Sequence, residues 1–248
     1  MDAGLAQQLA AARAKLPPYQ IGSHGQLQEW LEDYEEGTPQ HRHTSHLLGL
    51  FPYDQITPGD TSDLAAAARI TMERRQSAPR YEEGSWARNN MTLFYARLED
   101  GEAAYRSLTT LFRAESENSL MMGPRLAPLH AYEMDYNTGA SAGIAEMLVQ
   151  SKRGAIHLLP ALPPAWPDGK VRGLCAQGGF VVDVVWENSR LAAATILSRL
   201  GGPCRLRAGI PLEITHDGAA VPLRQVSRDT VEFDTQVGEK YGAAAQVA

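Results

Sequence analysis

Up to about residue 152 the apolar positions recur at helical spacing. Leu5, Leu9, Ala12 and Leu16 are set three to four residues apart, and Leu27, Trp30, Leu31 and Tyr34 follow i, i+3, i+4, i+7. Leu64, Ala68 and Met72 line a further stripe, opened by Thr61 or Ser62 as cap and closed by Arg74 and Arg75, cations suited to a helix C-terminus. Ala104, Leu108, Leu111 and Phe112 mark another, after Gly101. Met91, Phe94, Tyr95 and Leu98 repeat the pattern, as do Ile144, Met147, Leu148 and Ser151. These stripes predict roughly six helices, joined by loops rich in proline, glycine and polar residues.

The period then changes. Four prolines between 160 and 167, in "LPALPPAWP", end any helix. In "GGFVVDVVWENSRLAAATI" the residues Phe180, Val182, Val184 and Trp186 alternate with Val181, Asp183, Val185 and Glu187, the period of a strand buried on one face. Short runs at 203–209, 211–215, 220–224 and 229–234 are separated by the turn signals "GG", "HDG" and "SRD". The expected fold class is α+β multidomain: helices over 1–160, then a small antiparallel β domain over 161–248.

Composition narrows the function classes. The 248 residues carry a net charge of -6, with no basic face of the kind that reads a nucleic-acid backbone. No basic amphipathic stretch marks a membrane surface, and no apolar run is long enough to span one. Two cysteines, Cys175 and Cys204, exclude a disulfide scaffold and a four-thiolate zinc site, and they read as free thiols. Gly-rich phosphate loops and a G-x-S-x-G elbow are absent, so neither a nucleotide cofactor nor a serine nucleophile is expected.

Three segments carry candidate chemistry. "HRHTSH" sets His41 and His43 two apart and His46 three further on, with Arg42 between the first pair. That spacing and the adjacent cation disfavour a metal site. Hydrogen bonding to a polar ligand and a structural turn remain the two readings. "QLQEWLEDYEE" packs Glu29, Glu32, Asp33, Glu35 and Glu36 into eight positions. Glu32 and Glu36 read as a solvated helix face, while Glu29 adjoins the apolar stripe. In "EMDYNTGASAGIAEML", Asp135 and Asn137 precede small residues and a helix. Asp135 suits a helix cap, and equally an acid that, with an amide two residues on, orients a water for hydrolysis.

At these residues a resemblance enters. "LPPYQIGSHGQLQEWLEDYEE", "HRHTSHLLGLFPYDQI", "MDYNTGASAGIAEMLVQS" and "IHLLPALPPAWPDGKVRGLCAQGGFVVDVVWENSRL" stand in the order of the C-terminal part of glycoside hydrolase family 95, the inverting α-L-fucosidases and related α-L-galactosidases. The chain resembles that family over about residues 15 to 210. The resemblance implies about half of an (α/α)6 barrel followed by the C-terminal β domain. It implies Asp135 as general base, Asn137 as the amide of the same motif, and His41, His43 and His46 as contacts to the sugar. Glu29 and Trp30 match the family's Gln-Glu-Trp, with no role assigned. The substrate implied is a fucosylated oligosaccharide; no cofactor and no metal are implied. The family's general acid, a Glu on an earlier barrel helix, falls before residue 1. This predicts a fragment of a longer hydrolase, a barrel completed by another chain, or a non-catalytic sugar- or protein-binding relative. Two departures stand out: Tyr136 replaces the usual Gly beside the base, and "GSWARNN" shifts the serine ahead of Trp86.

Overall fold

The computed structural model describes residues 3–81, 84, 86–115 and 133–246. Among the described residues the first part holds α1 (Ala3–Arg13), α2 (Ser62–Ser77), α3 (Trp86–Arg97), α4 (Gly101–Glu115) and α5 (Met134–Leu148), with a short 3-10 turn at Ser45–Gly49. Thr61 occupies the cap position of α2, but its hydroxyl turns outward to accept the Thr57 N–H at 2.8 Å instead of capping. The stripes on α2 to α5 meet in one core that includes Met72, Phe94, Leu108, Leu111 and Met147. α3 is its centre and packs on both α4 and α5. The contact with α5 is close because α5 offers glycine there: a Cβ on Gly139 would sit 2.5 Å from Asn89 Nδ2, and one on Gly143 2.8 Å from Thr92 Cγ2. The small residues of "TGASAG" therefore serve helix packing.

Two expected helices differ. α1 forms, but Leu5 and Leu9 stay half-exposed, so its stripe is not buried in either core of the described residues. Residues 27–34 are not helical at all, and Trp30, Leu31 and Tyr34 lie on the surface. The apolar period there is outweighed by charge. A helix would stack Glu29 against Glu32 and Asp33, and Glu32 against Glu35 and Glu36, all like pairs at i, i+3 or i, i+4. The segment instead folds back: Asp33 accepts the Ser23 N–H at 2.6 Å and the Gln26 side-chain amide at 3.0 Å. Leu27 alone stays buried, its N–H held by Thr71 Oγ1 of α2.

β-structure begins at Val149. A five-stranded sheet runs in the order β1 (Val149–Lys152), β2 (Ala155–Leu158), β6 (Gly202–Arg207), β10 (Thr230–Thr235), β9 (Arg224–Ser227). A six-stranded sheet runs β3 (Gly169–Ala176), β4 (Phe180–Glu187), β5 (Arg190–Ser198), β11 (Lys240–Ala245), β7 (Leu212–His216), β8 (Ala219–Ala220). All neighbours are antiparallel except β2 and β6. On β4 the alternation holds: Phe180, Val182, Val184 and Trp186 point inward, joining Ile196, Leu206, Ile214 and Phe233 in a second core. The run expected at 220–224 divides between the ends of β8 and β9.

The expected division at 160/161 falls after the β1–β2 hairpin, which pairs into the five-stranded sheet. The helical and β parts meet through Ile144 and Trp166, which pack against both cores. Gln150 adds a polar tie, donating from its buried amide to the carbonyls of Ala96 at 2.8 Å and Glu146 at 3.0 Å. Among the described residues no helix is long and apolar enough to cross a membrane.

Candidate active site

The histidine loop and the acidic segment share one organiser that the sequence does not advertise. Arg75, at the end of α2, is buried. Its guanidinium donates to Glu29 Oε2 at 2.8 Å and to the His41 carbonyl at 2.9 Å, with Glu36 Oε1 at 3.7 Å. The planar fork presents its N–H donors in fixed directions, so it holds these acceptors in one geometry. Glu36 is thus drawn inward, its side chain only 21% exposed, and is not the solvated acid that spacing suggested. The lost helix at 27–34 makes this possible, because an extended path lets Glu29 and Glu36 converge on one cation.

His41 and His43 lean on each other edge to face, ring centroids 4.5 Å apart. The His43 backbone N–H donates to His41 Nδ1 at 3.1 Å, so that nitrogen serves as an acceptor. His43 in turn lies 4.9 Å from the indole of Trp86, the first residue of α3. His46 sits deeper. Its side chain is 4% exposed and Nδ1 is 3.7 Å from Glu29 Oε2. Burial pushes its pKa down to about 4; Arg75 adds to the shift and Glu29 opposes it. The imidazole is therefore neutral near pH 7.

Two adjoining hollows meet at His43, and His46 lines neither of them. One, about 330 Å³, is lined by Glu29, Trp30, Tyr34, Glu36, His41 and His43. The other, about 280 Å³, is lined by His43 together with Leu48, Phe51, Trp86 and Phe94, and is largely apolar. Aromatic faces beside a few fixed donors and acceptors are what a small polar ring needs from a binding site.

Asp135 and Asn137 stand in the first turn of α5, outside the lining of either hollow. The Asp135 side chain is exposed. Its backbone is fixed by Asn89, whose buried amide donates to the carbonyls of Asp135 at 2.7 Å and Tyr136 at 3.1 Å. Asn137 turns its own amide nitrogen to the Glu133 carbonyl at 2.8 Å. Tyr136 is 1% exposed and belongs to the helical core, so the large ring at this position fills the interior and leaves the solvent side of Asp135 open. The first turn of α3 thus touches both groups, Trp86 meeting His43 and Asn89 holding the turn of Asp135. Among the described residues no group of three or more His, Cys, Asp or Glu side chains is placed to hold a metal ion.

Arg75, Glu36, Trp86 and Asn89 are missing from the residues that sequence reasoning singles out for the site. Arg75 reads as an ordinary C-terminal cation, and Asn89 as one polar residue on a helix. Trp86 and Asn89 both lie within the departing "GSWARNN", the one signal that bears on them.

Comparison with known proteins places the whole architecture. Residues 1–148 match the model of the glycosyl hydrolase family 95 catalytic domain, and residues 150–243 match the glycoside hydrolase family 95 C-terminal domain. The chain belongs to glycoside hydrolase family 95. It is 39% identical over 189 residues to alpha-L-fucosidase 2 of Arabidopsis thaliana, an alignment covering 73% of this chain and 22% of that protein. A probable alpha-fucosidase A of Aspergillus niger is 29% identical over 187 residues, 70% of this chain and 23% of its own length. One from Aspergillus oryzae is 30% identical over 201 residues, 72% and 28% respectively. The matched region is therefore a minor part of each of these relatives.

Proposed function

We propose that this chain is the C-terminal part of an inverting glycoside hydrolase acting on terminal α-L-fucosyl residues of oligosaccharides, with Asp135 as general base. Residues 1–160 would form about half of an (α/α)6 barrel and 161–248 the bulk of its β domain. The observation that carries the reading is the double anchorage on α3, where Trp86 meets the histidine loop and Asn89 fixes the backbone of Asp135. In this reading His41, His43, Glu29 and Trp30 hold the sugar hydroxyls and ring face. His46 acts from behind by setting Glu29, and Asn137 steadies the water that Asp135 deprotonates.

The chemistry needs a second carboxyl group that protonates the leaving oxygen from the opposite face, roughly 6.5–9.5 Å from the base, with a water between. That group is proposed to come from outside the 248 residues, in the larger part of the protein that the relatives possess. An exposed Asp135 fits a residue whose partner face is supplied that way. The apolar hollow beside His43 suits the C6 methyl of a 6-deoxy sugar, which favours fucose over galactose.

The test uses a protein in which this chain is joined to the remaining barrel. Asp135→Asn should lower turnover of an aryl α-L-fucoside by about 10²–10⁴-fold with the circular-dichroism spectrum unchanged. The wild-type product should form first as the β-anomer by NMR. Turnover within a few-fold of wild type in the variant would remove Asp135 from the mechanism. Initial release of the α-anomer would exclude inversion.

A further inference from the structure

A third hollow, about 380 Å³, lies where the helical and β parts meet, formed by the 57–60 loop, Glu99, the β1–β2 hairpin, β6 and the turn before β10. Its charges are almost all matched. Arg207 donates to Glu99 at 3.0 Å and to Asp229 at 2.6 Å. Arg153 bonds Asp60 and the Asp54 carbonyl, and Arg205 bonds Glu232. Two lining groups are left over. Lys152, 9% exposed, has no side-chain hydrogen-bond or ion-pair partner among the described residues. His157, 7% exposed, has a buried Nδ1 without a hydrogen bond, the nearest carboxylate oxygen being Glu99 Oε1 at 3.7 Å.

An unpaired ammonium largely withdrawn from water is costly unless something neutralises it. The carboxylates that act on Lys152 from a distance are Glu99, Glu146 and Asp54, and each already holds an arginine: Arg207 for Glu99, Arg97 for the other two. The unused capacity in the hollow is therefore the Lys152 ammonium, with the orphaned His157 Nδ1 lying just beneath the wall. A metal cation is repelled by that set, and a neutral hydroxyl does not neutralise it. We propose that this hollow is an oxyanion site, in which Lys152, with His157 in the wall beside it, binds one carboxylate, sulfate or phosphate group.

The site is independent of the glycosidase reading, since it lies on other residues and is tested by binding alone. Burial, with Arg97 adding and Glu99, Glu146 and Asp54 opposing, brings the Lys152 pKa down to about 8. His157 is pushed to about 3 by burial, then by Arg207 and Lys152, with Asp229 opposing, and stays neutral through the working range. An anion beside Lys152 restores its preference for the charged form, so proton and anion bind together.

Calorimetric titration of the 248-residue chain with sulfate, phosphate and D-glucuronate, at ionic strength fixed with chloride, should give saturable one-to-one binding at pH 7. Tighter binding of glucuronate assigns the site to an acidic sugar, and tighter binding of sulfate or phosphate assigns it to a free anion. Lys152→Met, a near-isosteric change, should weaken binding at least tenfold. Sulfate does not titrate between pH 7 and 9, so its affinity for the unmodified chain should fall about tenfold across that interval as Lys152 deprotonates. No saturable binding, equal affinity in a folded Lys152→Met, or a sulfate affinity flat from pH 7 to 9 would each overturn the proposal.

Discussion

One guanidinium, that of Arg75, joins the acidic segment, the histidine loop and the end of α2 through contacts at 2.8 Å to Glu29 and 2.9 Å to the His41 carbonyl. Among the described residues neither acid is paired with a second arginine or a lysine, and both are largely withdrawn from water, at 23% exposure for Glu29 and 21% for Glu36. Removing one partner of a buried pair leaves the other as an uncompensated charge, which costs more than the pair itself contributes. Arg75→Met should therefore destabilise the chain by about 2–3 kcal/mol in urea unfolding. Arg75→Met combined with Glu29→Gln should recover part of that loss. If the double variant is less stable than Arg75→Met alone, Glu29 owes its place to something other than this cation.

At the scale of elements, the approach of α3 and α5 fixes the turn that carries Asp135. Gly139 is the tightest point, since a methyl group there would press on both the amide and the Cβ of Asn89. Alanine is the better helix former by about 1 kcal/mol, yet Gly139→Ala would dislodge Asn89 from two carbonyls. The net effect should be a loss of about 1–2 kcal/mol in thermal or urea unfolding, since the overpacking and the broken hydrogen bonds outweigh the propensity gain. An unchanged or higher midpoint would mean that Asn89 has room to move. The stripes of α2 to α5 and the alternation of β4 were legible because burial there follows a single period. The segment 27–34 was not, because its acids forbid the helix that its apolar residues suggest. The hairpin β1–β2 was hidden for another reason: "VQSKRGAIHL" is too short and too polar to announce a strand, and its pairing with β6 joins residues far apart in sequence. Arg75 was invisible as a site residue for the same reason, since what it binds is decided by tertiary contact.

For the molecule as a whole, acid should be a stronger denaturant than the net charge suggests. His46 in the helical part and His157 in the β part are held near 4 and 3, chiefly by burial, against 6.5 when unfolded. Above pH 6.5 neither state binds the extra proton, and stability is unaffected. As pH falls below 6.5 the unfolded chain takes up protons that the folded chain refuses, and stability declines toward the folded values. By pH 4.5 the loss should be on the order of 2–3 kcal/mol for each histidine. Urea midpoints at pH 7 and 4.5 measure it, and His157→Leu should reduce the drop by about half. A drop of undiminished size in that variant would point to other groups. One feature of the fold also bears on how such proteins can be recombined. α5 passes into β1 between Leu148 and Val149 with no intervening loop, so the helix bearing Asp135 leads directly into the first strand of the sheet. A chimera that exchanges β domains between relatives has no neutral splice point there: a crossover at 148/149 or at 160/161 would mate a foreign sheet to the native α5. The natural unit of exchange is α5 together with everything after it, and a graft should begin ahead of Met134.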